Sequence, residues 1–169
     1  MNTRVVLGLL LVSSVAWAKP KLTTKQTGLY PSKACKTKIK GGEGQDPVLT
    51  CPSGAKGFAV EVFFSATDTH VTVSGIGGET SINGRLGDKL EWRLADGVPY
   101  ALVVELAETD QDAETSPAVK PRIAVFGIGD TKPRSEAAIA AVPKAKLAKE
   151  KQRAWVEARA LADKLAPAP

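Results

Sequence analysis

The stretch Gly87–Leu106, GDKLEWRLADGVPYALVVEL, constrains this chain more than any other. Leu90, Trp92 and Leu94 alternate with Lys89, Glu91 and Arg93. Successive side chains of a strand point to opposite faces, so the pattern predicts a strand with one apolar and one charged face. Asp96-Gly97 supplies the positive φ of a tight turn. Pro99 then opens a second strand, where a missing N–H matters least. Tyr100, Leu102, Val104 and Leu106 form its apolar face, with Ala101, Val103 and Glu105 opposite. The second strand is the more apolar and is placed more centrally.

Glu91, Trp92 and Arg93 together offer a carboxylate, a stacking ring and a cation, a candidate interaction site. Alternation turns Trp92 away from the other two. The expectation is therefore a core Trp flanked by a surface ion pair.

The chain opens Met1-Asn2-Thr3-Arg4, runs apolar from Val5 to Val15 and reaches Ala16-Trp17-Ala18. That is the pattern of a secretory signal peptide with cleavage after Ala18. The run is too short for a permanent membrane span, and no second one follows. A periplasmic or secreted protein is expected, without a transmembrane segment in the mature chain. About 150 residues remain, enough for one domain with its own core.

The two cysteines, Cys35 and Cys51, lie beyond residue 18. In an exported chain they are expected to pair as a structural disulfide, since redox motifs usually hold thiols two residues apart.

The net charge of +5 is uneven: seven lysines and no acid lie between Lys19 and Lys40. Residues 19–33 read as a basic, flexible arm. It holds no Arg and one aromatic, Tyr30, so it lacks stacking platforms for nucleic acid. Export argues against nucleic acid as well, and leaves an envelope protein or an anionic polymer as partner.

Residues 34–130 read as a β domain. Thr37 and Ile39 alternate with lysines in an edge strand, which lysines protect from pairing with other chains. Pro47 to Cys51 returns beside it. Phe58, Val60, Val62 and Phe64 mark a long strand, and Val71 and Val73 the next, with His70 in the turn between. Ser74 to Gly84 reads as a loop, Glu108 to Lys120 as a mobile loop, and Arg122 to Ile128 as a last strand.

Residues 131–169 read as a helical segment. Ser135 caps a short helix, SEAAIAAV, which Pro143 ends. A longer helix runs from about Lys144 to Leu165. Leu147, Ala148, Trp155, Ala158, Ala162 and Leu165 share one side, expected to dock on the domain. Lys149, Arg153, Glu157 and Lys164 lie opposite. The fold class is mainly β or α+β: an antiparallel sheet, small sandwich or barrel of about six or seven strands with this C-terminal helical segment.

No catalytic constellation stands out. The lone histidine, His70, and nearby Asp68 read as turn residues and not as zinc ligands. Thr109-Asp110-Gln111-Asp112 with Glu114 lacks the glycine and terminal Glu of a calcium loop. G-x-S-x-G is absent. Gly75-Ile76-Gly77-Gly78 does not match a phosphate loop. No cofactor and no metal are expected. Trp92, His70, Asp68, Glu91 and Arg93 remain candidates for an interaction site, and His70, Asp68 and Glu91 for an enzyme site if one exists.

Cys35, Cys51-Pro52, Gly57-Phe58, Gly87-Asp88-Lys89-Leu90-Glu91-Trp92-Arg93 and Pro99-Tyr100-Ala101 carry a resemblance. The chain resembles a family of small exported proteins of Proteobacteria, over about residues 30 to 129. That family has a Cys hairpin, a G-D-x-L-E-W-R segment and a Pro-aromatic-Ala strand. Ala66-Thr67-Asp68-Thr69-His70 departs from its acidic-Gly-Asp-Leu-Arg segment, and a later Cys-containing segment is missing. The resemblance implies one compact, export-adapted domain and brings no activity with it. The expected function is that of an exported, non-catalytic binding module of the cell envelope. A periplasmic inhibitor of a cell-wall hydrolase is a narrower version, by analogy of fold alone.

Overall fold

The computed structural model describes residues 18–168, apart from 30–31, 41, 43–45, 65–68 and 109–119. The expected signal peptide except Ala18, Asp68 and the acidic stretch from Thr109 to Glu114 lie outside the described residues.

Nine strands and one helix are present among the described residues. They are β1 (Leu22–Gly28), β2 (Lys36–Ile39), β3 (Val48–Cys51), β4 (Ala59–Phe64), β5 (Thr69–Gly75), β6 (Gly78–Ala95), β7 (Val98–Glu108), β8 (Lys120–Gly127), β9 (Ser135–Ala138) and α1 (Lys144–Asp163). Neighbouring strands from β2 to β9 follow chain order, and β1 pairs with β6. The pairings are antiparallel. The mainly β class with a C-terminal helix holds, with more strands than the expected six or seven.

β6 organises the sheet. Its first half, Gly78–Gly84, pairs with β5. Its second half is flanked by β7 on one side and β1 on the other. Between them Gly84 takes a positive φ of 126° and the register with β7 slips between Leu86 and Leu90. Such irregularities bend a strand. The apolar faces of both halves consequently meet in one core: Val60, Val62, Val71, Val73 and Ile82 pack in a cluster with Leu90, Trp92, Leu94, Leu102, Val104 and Phe126.

A second apolar layer lies on the other side of the sheet. Ala101, Val103, Ile123, Val125, Ala137 and Ile139 meet Ala154, Trp155, Ala158 and Ala162 of α1. The helix has no side-chain cap, no acid in its first turn and no base in its last. A helix with such weak ends depends on tertiary packing. Its small alanines let it lie close to the sheet, and the expected docking is observed. The buried face includes Ala154, whereas Ala148 is exposed.

Several expectations are corrected. The basic arm of residues 19–33 contains β1, a strand in full register from Leu22↔Ala95 to Gly28↔Lys89. Its Thr27 hydroxyl accepts the Trp92 indole N–H at 2.9 Å and donates to the Pro52 carbonyl at 2.8 Å. Leu29 is buried in the main core. A polar strand is stabilised there by backbone pairing, which hydrophobic periodicity does not reveal. Ser74 to Gly84 is not a loop: it holds the end of β5, a tight turn and the first half of β6. Glycines at positive φ, Gly77 and Gly78, make that turn. Ser135–Ala138 is β9 and not a helix. Ala137 faces Ile123 across the β8 pairing, and this contact outweighs local propensity.

Tyr100 changes face. Arg93 pairs with Ala101 and Leu94 with Pro99, so Tyr100 is the extra residue of a β-bulge. Bulges re-aim side chains. Tyr100 packs with the α1 layer and not with Leu102 and Val104.

Candidate functional site

Two polar groupings stand out, one beneath α1 and one on the half of the sheet that α1 does not cover.

The first is a seam along α1. Lys151, Trp155, Arg159 and Asp163 recur every fourth residue, a spacing that lines one side of a helix. Each meets a side chain of the sheet. Lys151 bonds Glu105. The Lys89 ammonium lies 4.6 Å from the Trp155 ring centre. Arg159 donates two hydrogen bonds to Glu91, Nε to Oε1 at 2.8 Å and Nη2 to Oε2 at 2.7 Å. Arg93 donates to Asp163 through Nη2 at 2.5 Å and Nε at 3.1 Å. The Tyr100 hydroxyl donates to the same Asp163 oxygen at 2.8 Å.

Glu91 is fully buried, which corrects the expected surface ion pair. Its outward direction is right, but the solvent there is replaced by α1. Besides Arg159 it accepts from Gln26 of β1 at 3.4 Å, and Arg93 lies 3.8 Å away. Trp92 points into the main core with no exposure, so it does not converge with Glu91 and Arg93. Phe58 packs edge-on against it, ring centres 5.7 Å apart.

The electrostatics fit a closed joint. Hydrogen bonding to Glu91 is the main cause that holds Arg159 above its ordinary pKa, against burial. Burial acts most strongly on Arg93 and opposes its charge. Hydrogen bonds to Asp163 and Tyr100, with their Coulombic attraction, outweigh it and leave Arg93 raised. Burial pushes the Tyr100 phenol up, and the Asp163 carboxylate adds to this while Arg93 opposes it. Each charge here has a partner within the protein, so the seam fastens the helix and leaves no group directed at a ligand.

The second grouping surrounds His70. The residue lies in β5 and not in a turn, which corrects the sequence expectation. It pairs across the sheet with Asn83, and Thr72 pairs with Ser81. These four side chains lie on the face opposite Val71, Val73 and Ile82. His70 Nδ1 meets Asn83 Oδ1. Nε2 lies 3.0 Å from Thr72 Oγ1 and 3.4 Å from Ser81 Oγ. Phe63 of β4 stands edge-on to the imidazole at 5.6 Å. His70, Thr72 and Ser81 are part-exposed and Asn83 is exposed. α1 packs over β7, β8 and β9, away from this half of the sheet.

Ser81 and Asn83 were not legible as site residues, because Ser74–Gly84 reads as a loop, and without them Thr72 had no partner across the sheet to mark it. The alternation Thr80-Ser81-Ile82-Asn83 is the signal that a strand assignment would have used.

Cys35 and Cys51 form the expected disulfide, with an S–S distance of 2.02 Å. It ties the start of β2 to the end of β3. Lys36, Lys38 and Lys40 are exposed on and beside β2, the edge strand, and Lys38 pairs with Glu61. Among the described residues, no three His, Cys, Asp or Glu side chains gather as a metal site. No described helix is long and apolar enough to cross a membrane.

No family model, curated protein or solved structure matches this chain.

Proposed function

We propose that this chain is an exported, non-catalytic binding module of the bacterial cell envelope. It presents the His70 face of β4, β5 and the first half of β6 to an envelope protein. The observation that supports this reading is the contrast between the two groupings. Charges beneath α1 are paired within the fold, whereas His70, Thr72 and Ser81 remain part-exposed and Asn83 exposed on paired strands. Sites on strands hold geometry better than sites on loops. The signal-peptide pattern and the disulfide support export.

Affinity capture from an envelope extract, read by mass spectrometry, tests the reading. The baits are residues 19–169 and the same chain carrying Asn83→Arg, which places a bulky charge on the exposed strand face. One protein held by the first bait and lost with the second supports the proposal. Retention by both baits rejects the His70 face as the binding surface. Recovery of many acidic species, released by salt, favours an anionic polymer drawn to the lysine-bearing edge.

A further inference from the structure

The geometry points to a nucleophilic hydroxyl at Ser81, activated by His70 and oriented by Asn83, that accepts an acyl or phosphonyl group from an activated donor. This goes beyond the binding reading.

The inference starts from the two ring nitrogens. The tautomer with its proton on Nδ1 is the one that satisfies the Asn83 amide oxygen, which can only accept. Neutral imidazole has one N–H, and Nε2 is then the free acceptor. It faces two hydroxyls, of Thr72 at 3.0 Å and Ser81 at 3.4 Å. A hydroxyl, a histidine acceptor and a third group fixing the histidine make up the general arrangement of an activated nucleophile. Asn fills the orienting role in some such arrangements. Here the cross-strand pairing of β5 with β6 sets His70 opposite Asn83 and Thr72 opposite Ser81, so the spacing is built into the sheet.

Thr72 is the nearer hydroxyl, but it is secondary and branched at Cβ, which hinders attack on a tetrahedral or trigonal centre. Ser81 is primary and sits on the neighbouring strand. In the reaction Ser81 Oγ forms a bond to the carbonyl carbon or phosphorus. Its proton passes to His70 Nε2, and the bond to the leaving group breaks. The leaving group departs with the electron pair. The Ser81 backbone N–H is already committed to the Asp130 carbonyl at 3.2 Å. It cannot serve as an oxyanion donor, and such donors supply a large part of the rate in turnover enzymes. The expected chemistry is therefore stoichiometric capture and not turnover, which is compatible with a non-catalytic module.

The test is labelling of the folded protein by an alkyl fluorophosphonate, followed by intact mass and peptide mapping. The expected result is one adduct on Ser81, absent after heat denaturation. It should persist in Thr72→Val and fall at least tenfold in His70→Gln and, independently, in His70→Asn. As a positioning residue, Asn83 should be replaceable by Asp and not by Leu, with circular dichroism unchanged in both. No adduct, an adduct on any other residue, or one kept by both His70 variants overturns the inference. A partner captured without any adduct removes only the nucleophile. An adduct without a captured partner removes only the binding surface.

Discussion

Arg159 of α1 and Glu91 of β6 form a two-pronged ion pair, 2.8 and 2.7 Å, with the carboxylate wholly withdrawn from water. The pair joins the helix to the strand that both halves of the sheet share. Removing one member strands the other. Arg159→Ala leaves a buried carboxylate supported by Gln26 and a more distant Arg93, and should cost about 3 kcal/mol. Replacing both residues by Met should recover most of that loss. Urea unfolding midpoints at constant slope measure both. A cost under about 1 kcal/mol for Arg159→Ala would mean that the pair does not fasten the helix.

Gly54 lies against the Trp92 ring. A Cβ there would come within 2.2 Å of Cδ1. Trp92 is held by its indole bond to Thr27 and by Phe58, so it has no room to retreat. Gly54→Ala should destabilise the fold by about 2–3 kcal/mol through overpacking. A parallel drop in Trp fluorescence order, followed by thermal unfolding, reports it. A neutral Gly54→Ala would show that the ring shifts freely.

The Tyr100 phenol is held above its ordinary value, first by burial and then by its bond to Asp163. Below about pH 10 both folded and unfolded forms keep the proton, and the contribution to stability is complete. As pH rises through and beyond that value the unfolded chain ionises first, and stability falls until the folded group follows. Tyr100→Phe should cost about 1 kcal/mol at neutral pH. It should also flatten the alkaline decline. Unfolding curves measured from pH 8 to 11 compare the two slopes, and identical slopes would contradict the assignment.

Reduction of Cys35–Cys51 should lower stability by about 3 kcal/mol, the chain-entropy value for a loop of this length. β2 is an edge strand with all four residues exposed. Its amide protons should therefore exchange sooner than those of β7 on reduction. Hydrogen exchange with and without reductant shows whether the loss begins at that edge.

Much of the fold was legible because it rests on local periodicity. The turn at Asp96-Gly97 carries positive φ at both residues, as its sequence requires. The apolar positions of β4, β5 and the second half of β6 fall where alternation puts them, and α1 begins at Lys144 as expected. Strict alternation forces one face inward, so these elements had no other arrangement to adopt.

The rest depends on neighbours that are remote in sequence. β1 is too polar to announce itself, and it exists because the edge of β6 offers it hydrogen bonds. Ser135–Ala138 has the composition of a helix, yet β8 recruits it as a strand. One extra residue in β7 sends Tyr100 to the opposite face, and no periodicity encodes that slip. The candidate sites follow the same rule. Alternation along the strand sets Glu91 and Arg93 on one face and Trp92 on the other. Only tertiary structure decided that α1 covers that face, turning an expected surface pair into a buried joint. Only β5–β6 pairing gathers His70, Thr72, Ser81 and Asn83. The physical reason is the same throughout: periodicity states which way a side chain points, while the packing of distant segments decides what it meets.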